Sequence, residues 1–186
     1  MLLSHHTAFA RFAPVDLPLA GMTSGTLLET TQGWAPVEQL RAGDRVATGD
    51  GGFRAVLAIE SRDQEDTPLW HVPGGTFGAC SNLLLTEGQY LAVGGRDCRR
   101  LFGLPTVLVP AGALAGFKGA RRIEPAQVRT YAPRFTTEEL VWAQTGLRIL
   151  CPGTDGEPHY KRLNYGQARA LLMMMADGKL GADLAA

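Results

Sequence analysis

Between Thr26 and Gln144, short β-prone runs rich in apolar residues are separated by polar, glycine-punctuated stretches, the pattern of short β-strands joined by turns. The first run, Thr26-Leu27-Leu28-Glu29-Thr30-Thr31, is β-prone and stops at Gln32-Gly33. Pro36 then opens Val37-Glu38-Gln39-Leu40, which fits a single helical turn started by proline and ended at Gly43-Asp44. Arg45-Val46-Ala47-Thr48 runs into Gly49-Asp50-Gly51-Gly52, a turn of residues that tolerate positive φ, and 53–59 returns as the partner strand. Further strands are expected at 69–72, 82–86, 90–93, 106–109, 128–131 and 140–143, and a last at 147–151, ended by Pro152-Gly153. Many short strands with regular glycine punctuation predict a mostly β domain.

The two ends break this pattern. Residues 1–20 hold Pro14, Pro18 and scattered apolar positions, among them Phe9, Phe12 and Leu17, without a sustained helical period. They read as an arm that packs on its own domain or on a neighbouring chain. After a loop at 153–158, a helix is expected from Asn164. Its apolar residues Ala168, Leu171, Leu172 and Met175 recur at three- and four-residue steps, and Gly178 is the expected stop. The organisation is therefore an arm over 1–20, a β domain over 21–150 and a loop-plus-helix extension over 151–186. Phe9, Phe12, Leu17, Leu172 and Met175 are the candidate contacts with other chains.

Composition narrows the function classes. The chain has 186 residues, 45% hydrophobic and 19% charged, with zero formal net charge. This lacks the electrostatic footprint of a nucleic-acid binder. An acidic cluster (Glu60, Asp63, Glu65, Asp66) and a later basic stretch (Arg96, Arg99, Arg100, Lys118, Arg121, Arg122, Arg129) read as two solvated patches. Cys80, Cys98 and Cys151 form no C-x-x-C pair, which argues against a zinc site or a disulfide framework, and His5-His6 are two adjacent histidines without a further ligand cluster. No window is long and apolar enough for a transmembrane helix, and polar residues interrupt the N-terminus where a secretory signal would need an apolar run. Cytoplasmic synthesis is expected, with no cofactor and no membrane insertion.

Four stretches resemble bacterial Hint (Hedgehog/intein) domains, the self-processing β fold. The first and most specific is G-T-L-L-E-T-T-Q-G-W-A-P-V-E-Q-L-R-A-G-D-R-V-A-T-G-D-G-G, from Gly25 to Gly52, which resembles the family phrase V-x-x-L-x-x-G-D-x-V. Just before it, Gly21-Met22-Thr23-Ser24-Gly25-Thr26 stands where the family opening typically reads C-F-x-x-G-T. The second is L-L-L-T-E-G-Q-Y-L-A-V, 83–93, similar to the block written around S/T-x-x-H. L-F-G-L-P-T-V-L-V-P-A-G-A-L, 101–114, follows it, and 128–143 occupies the place of the last strands.

The resemblance implies an N–S or N–O acyl shift, in which a Cys, Ser or Thr attacks the preceding carbonyl while the block's Thr and His polarise or protonate the scissile amide. At the nucleophile position this chain has Gly21. Thr86 is retained, the histidine position falls at Gln89, and a later family histidine is replaced within Tyr131-Ala132-Pro133. A glycine cannot attack and an amide cannot shuttle protons near neutral pH. Gly21, Thr86, Gln89 and Pro133 are thus expected to form a vestigial site, and the protein is expected not to be an enzyme. Its expected role is an adaptor or base subunit with protein partners, in a homo-oligomer or a larger assembly such as a phage-like particle or surface structure. Alternatives remain: residual self-cleavage, including attack by a displaced Thr23 or Ser24; a new Cys151/His159 hydrolase pair; and a sugar-binding surface built on Trp34, Trp70 or Trp142.

Overall fold

The computed structural model describes residues 20–49 and 52–183. Along the chain the elements are β1 (Met22–Thr23), β2 (Leu27–Thr30), β3 (Gly33–Pro36), β4 (Arg45–Thr48), β5 (Gly52–Ala55), β6 (Ala58–Val72), β7 (Leu83–Thr86), β8 (Tyr90–Gly94), α1 (Arg96–Phe102), β9 (Thr106–Pro110), β10 (Arg121–Arg134), β11 (Glu139–Ala143), β12 (Leu147–Cys151) and α2 (Tyr165–Asp183). A 3-10 turn occupies Val37–Gln39, where proline at 36 was expected to start one. The mostly β architecture with a C-terminal helix follows the short β-prone runs in the sequence.

Two sheets organise these strands. In one, β6 pairs with β7 and β10, and the two-residue β1 pairs with β7 and β10, closing a ring. The other runs β3-β2-β4-β11-β12-β8-β9, with β5 on β4. Leu28, Val46, Leu91, Val107, Val141 and Ile149 are buried along its strands, and Met22, Val72 and Leu85 bring the ring into the same core.

Three expectations are corrected. The segment 53–59 is not one strand: β5 ends at Ala55 and the chain crosses to the other sheet through Val56 and Leu57. The strands expected at 69–72 and 128–131 are the end of β6, 15 residues long, and an inner part of β10, 14 residues long, which form an antiparallel ribbon. The apolar signal is lost there because both ribbon faces meet solvent over much of 58–66; Gln64 is the buried side chain in that stretch. The register shifts near Ala126 mark bulges that bend the ribbon. The acidic and basic stretches also meet at one point, where Arg129 lies on Asp63 at 2.7 Å across the ribbon, and Arg134, outside the basic stretch, lies on Glu60 at 2.8 Å. Such exposed pairs contribute about 0–1 kcal/mol each.

The extension is part of the domain core. Ala168, Leu171 and Leu172 are buried and Met175 packs against the same cluster. Leu172 and Met175 therefore do not form a free contact face, because α2 lays its apolar stripe on β9 and on the 3-10 turn at Ala111–Leu114. The helix also continues through Gly178 to Asp183 rather than stopping there. Phe9, Phe12 and Leu17 lie outside the described residues, as do His5 and His6. Helix α1 had no periodic signal, since Cys98 is the buried residue among its seven.

Candidate functional site

The ring closes around the residue before β1. Met22 pairs with Tyr131 of β10 and Leu85 of β7, and Thr23 pairs with Thr130. This register puts Gly21 against Thr86, the last residue of β7. The Gly21 N–H donates to Thr86 Oγ1 at 3.0 Å, and the Thr86 hydroxyl donates in turn to Gly21 O at 3.3 Å. Thr86 N donates to the same carbonyl at 3.4 Å. Thr86 is fully buried, so its hydroxyl is fixed on the nitrogen of the Ala20–Gly21 peptide bond. That is the amide the resemblance makes scissile.

No side chain fits at 21 without a shift. A Cβ built on Gly21 would lie 2.8 Å from Thr130 Cβ and 3.1 Å from Thr130 Oγ1. Thr130 is itself buried, and its Oγ1 accepts a 2.7 Å hydrogen bond from Gln64 Nε2. Thr67 Oγ1 donates to Gln64 Oε1 at 3.0 Å, holding that amide in turn. The space a nucleophile's side chain would need is filled by a hydrogen-bonded threonine.

Gln89 is brought to the same neighbourhood but its amide is committed elsewhere. Nε2 donates to Leu150 O at 2.8 Å and to Tyr90 O at 3.1 Å, tying the start of β8 to the end of β12. With Ala20, Met22 and Thr130 it borders a pocket of about 290 Å³. Pro133 is not on this pocket; it pairs with Ile59 on the ribbon, and its neighbours Ala132 and Arg134 line the wall instead. The structure thus joins Gly21, Thr86 and Gln89 and leaves Pro133 out.

The wall also includes Tyr90, Tyr131 and Leu150, and carries charged side chains at Glu60, Arg62, Arg134, Glu138 and Arg162. Glu60 faces Arg134, whose hydrogen bond holds the Glu60 carboxyl below its usual range. Glu138 is buried, accepts from the backbone N–H of His159 at 3.0 Å and of Tyr160 at 3.3 Å, and pairs with Arg162. It thereby fastens the loop after β12 to the pocket rim. Thr130, Glu138 and Arg162 carried no signal in the sequence: the first acts through strand register, and Glu138-Glu139 reads as an ordinary polar turn.

The alternative nucleophiles are not poised. Thr23 Oγ1 donates to Leu84 O at 3.1 Å, and Ser24 is exposed in the following turn. Cys151 is fully buried; burial, with Glu139 beside it, pushes its thiol well above the ordinary range. His159 lies on the surface 3.5 Å from Asp155 and does not meet Cys151. Among the described residues, no cluster of three or more His, Cys, Asp or Glu is placed to hold a metal, and no helix is long and apolar enough to cross a membrane.

The site thus consists of a small closed ring joined to a larger sheet, with the peptide that enters the ring held by a buried threonine. The family model described as Hint domain matches residues 20–147, and the chain belongs to that family. Among solved structures, the bacterial intein-like domain from Clostridium thermocellum aligns with a TM-score of 0.50 at 17% identity, over 73% of this chain and 99% of that one. The gp41-1 intein aligns at 0.44 and 10% identity, over 73% and 99%. For the MchDnaB-1 intein the values are 0.43 and 15%, over 70% and 98%. At these identities the likeness concerns the fold alone. No curated protein matches the chain.

Proposed function

We propose that this Hint domain is non-catalytic and acts as an interaction module, an adaptor or base subunit of a larger protein assembly such as a phage-like particle. One observation carries the reading: the Cβ position of Gly21 is occupied by Thr130. The acyl shift needs a side-chain nucleophile on the residue that follows the scissile carbonyl. Here that residue has none and the fold leaves no room for one. Gln89 supports the same reading, since its amide serves a backbone carbonyl and has no proton to exchange near neutral pH. What remains is a rigid ring with a pocket of mixed charge beside the point where residues 1–19 join the domain, and a protein partner is the ligand class proposed for it.

Intact mass and native mass spectrometry of the expressed chain test this. The expected result is an uncleaved 186-residue chain, found as an oligomer or recovered in a stable complex. A new N-terminus at Gly21 would overturn the non-catalytic reading in favour of residual self-processing. A lone monomer with no partner in its native source would overturn the assembly role.

A further inference from the structure

A second concavity lies away from this pocket, between the β2–β3 hairpin and the segment 39–45, with a volume of about 440 Å³. Its walls are mostly polar: Gln32, Gln39, Asp44 and Arg45 contribute, with Trp34 beside them. The three tryptophans of the chain differ sharply in their surroundings. Trp70 is buried, and Trp142 is half-buried with the Arg148 guanidinium 5.5 Å from its ring centroid. Trp34 is 42% exposed on an edge strand. Among the described residues no ring or cation lies over it.

We propose that this groove is a carbohydrate-binding site, in which a neutral sugar ring stacks on Trp34 while Gln32, Gln39 and Asp44 hydrogen-bond its hydroxyls. An indole presents a large apolar face with an electron-rich π system, suited to the C–H face of a pyranose. The residues Gln32 and Gln39 are exposed, and among the described residues their side-chain amides make no hydrogen bond, so they face a ligand in the groove. Asp44 uses Oδ2 to accept from Arg41 N at 2.8 Å, which fixes the carboxylate and leaves Oδ1 for a hydroxyl. The guanidinium of Arg45 donates to Phe53 O at 2.9 Å, and one acidic and one basic side chain, Asp44 and Arg45, line the groove, so its charge favours a neutral ligand over an anionic one. The site is separate from the pocket at Ala20 and does not depend on the reading proposed above.

Titration of the full chain with cello-, chito- and malto-oligosaccharides, followed by tryptophan fluorescence and calorimetry, tests the site. At least one series is expected to bind. Trp34→Ala is expected to weaken it about tenfold or more, the loss of a stacked aromatic face. Trp34→Phe should bind between the two, and Gln39→Ala should weaken binding severalfold. Far-UV circular dichroism should keep the parent's β signature in these variants; Gln39→Ala should leave Tm unchanged, while Trp34→Ala, which removes a partly covered ring, should lower Tm without unfolding the domain. Absence of binding to all three series would overturn the proposal, as would binding that survives Trp34→Ala. Equal quenching of Trp34 by an unrelated peptide would point instead to a non-specific surface and would also overturn it.

Discussion

Replacing Gly21 with cysteine restores the family's nucleophile in sequence, and the structure predicts that it fails in space. The added Cβ meets Thr130 Cβ at 2.8 Å, inside van der Waals contact. Rotating the Thr130 side chain does not relieve this, because its first carbon is the contact and that atom is fixed by the backbone of β10. Nor can the strand easily withdraw, since Thr130 pairs with Arg62 and Thr23 on its two sides and its hydroxyl holds Gln64. Overpacking of this kind costs about 1–3 kcal/mol. For a chain of this size that lowers Tm by roughly 3–10 °C. Thermal unfolding by circular dichroism measures the loss, and intact mass measures cleavage at the Ala20–Gly21 bond; none is expected. Adding Thr130→Gly removes the clashing carbon, so the double variant should be more stable than the sum of the single losses by about 1–2 kcal/mol. A Gly21→Cys protein as stable as the parent, or one that cleaves itself, would refute the reasoning.

Two further outcomes follow from the buried groups of the wall. Glu138→Ala leaves Arg162 and the N–H groups of His159 and Tyr160 without their acceptor and should cost about 3 kcal/mol in urea unfolding, with faster proteolysis at 153–158; a loss below about 1 kcal/mol would count against it. Cys151 titrates above its ordinary 9.0 because it is buried. The folded state therefore keeps a proton that the unfolded chain loses. Its contribution is complete below about pH 9 and declines as pH rises, by up to about 1.4 kcal/mol per pH unit. The difference in stability between the parent and Cys151→Ala should shrink over that range; parallel curves would exclude the effect.

The strands of the larger sheet were legible because they are short apolar runs closed by turn residues, with most of their positions buried on one face or the other. Arg45–Thr48 and Leu147–Cys151 occupy the residues the pattern assigned to them. The ribbon was not legible, since a strand with both faces in water has no apolar period to read. Its polar positions instead carry the cross-strand pairs that hold the register. At the site, Gly21, Thr86 and Gln89 were found through motif order, while Thr130 was not, being 109 positions from Gly21 in a 186-residue chain and joined to it only by the pairing of β1 with β10. Leu172 and Met175 show the opposite error. Their stripe was recognised, but a helical stripe does not say whether it covers its own domain or another.

That register also explains why Thr86 stands where Gly21 and Gln89 depart from the family pattern. Its hydroxyl and its backbone N–H both engage Gly21, and these bonds help seat the two-residue β1 that closes the ring between β7 and β10. The contact on the Ala20–Gly21 amide is therefore also a closure of the fold. On the non-catalytic reading proposed above, the nucleophile and the proton shuttle can be absent without opening the core, because Thr130 occupies the Cβ position of residue 21 and Gln89 hydrogen-bonds Leu150 O. Removing the threonine would leave a buried N–H without its acceptor, at about 1–3 kcal/mol. Retention of Thr86 is accordingly no evidence for catalysis in this chain, and the weight falls on Gly21 and Gln89.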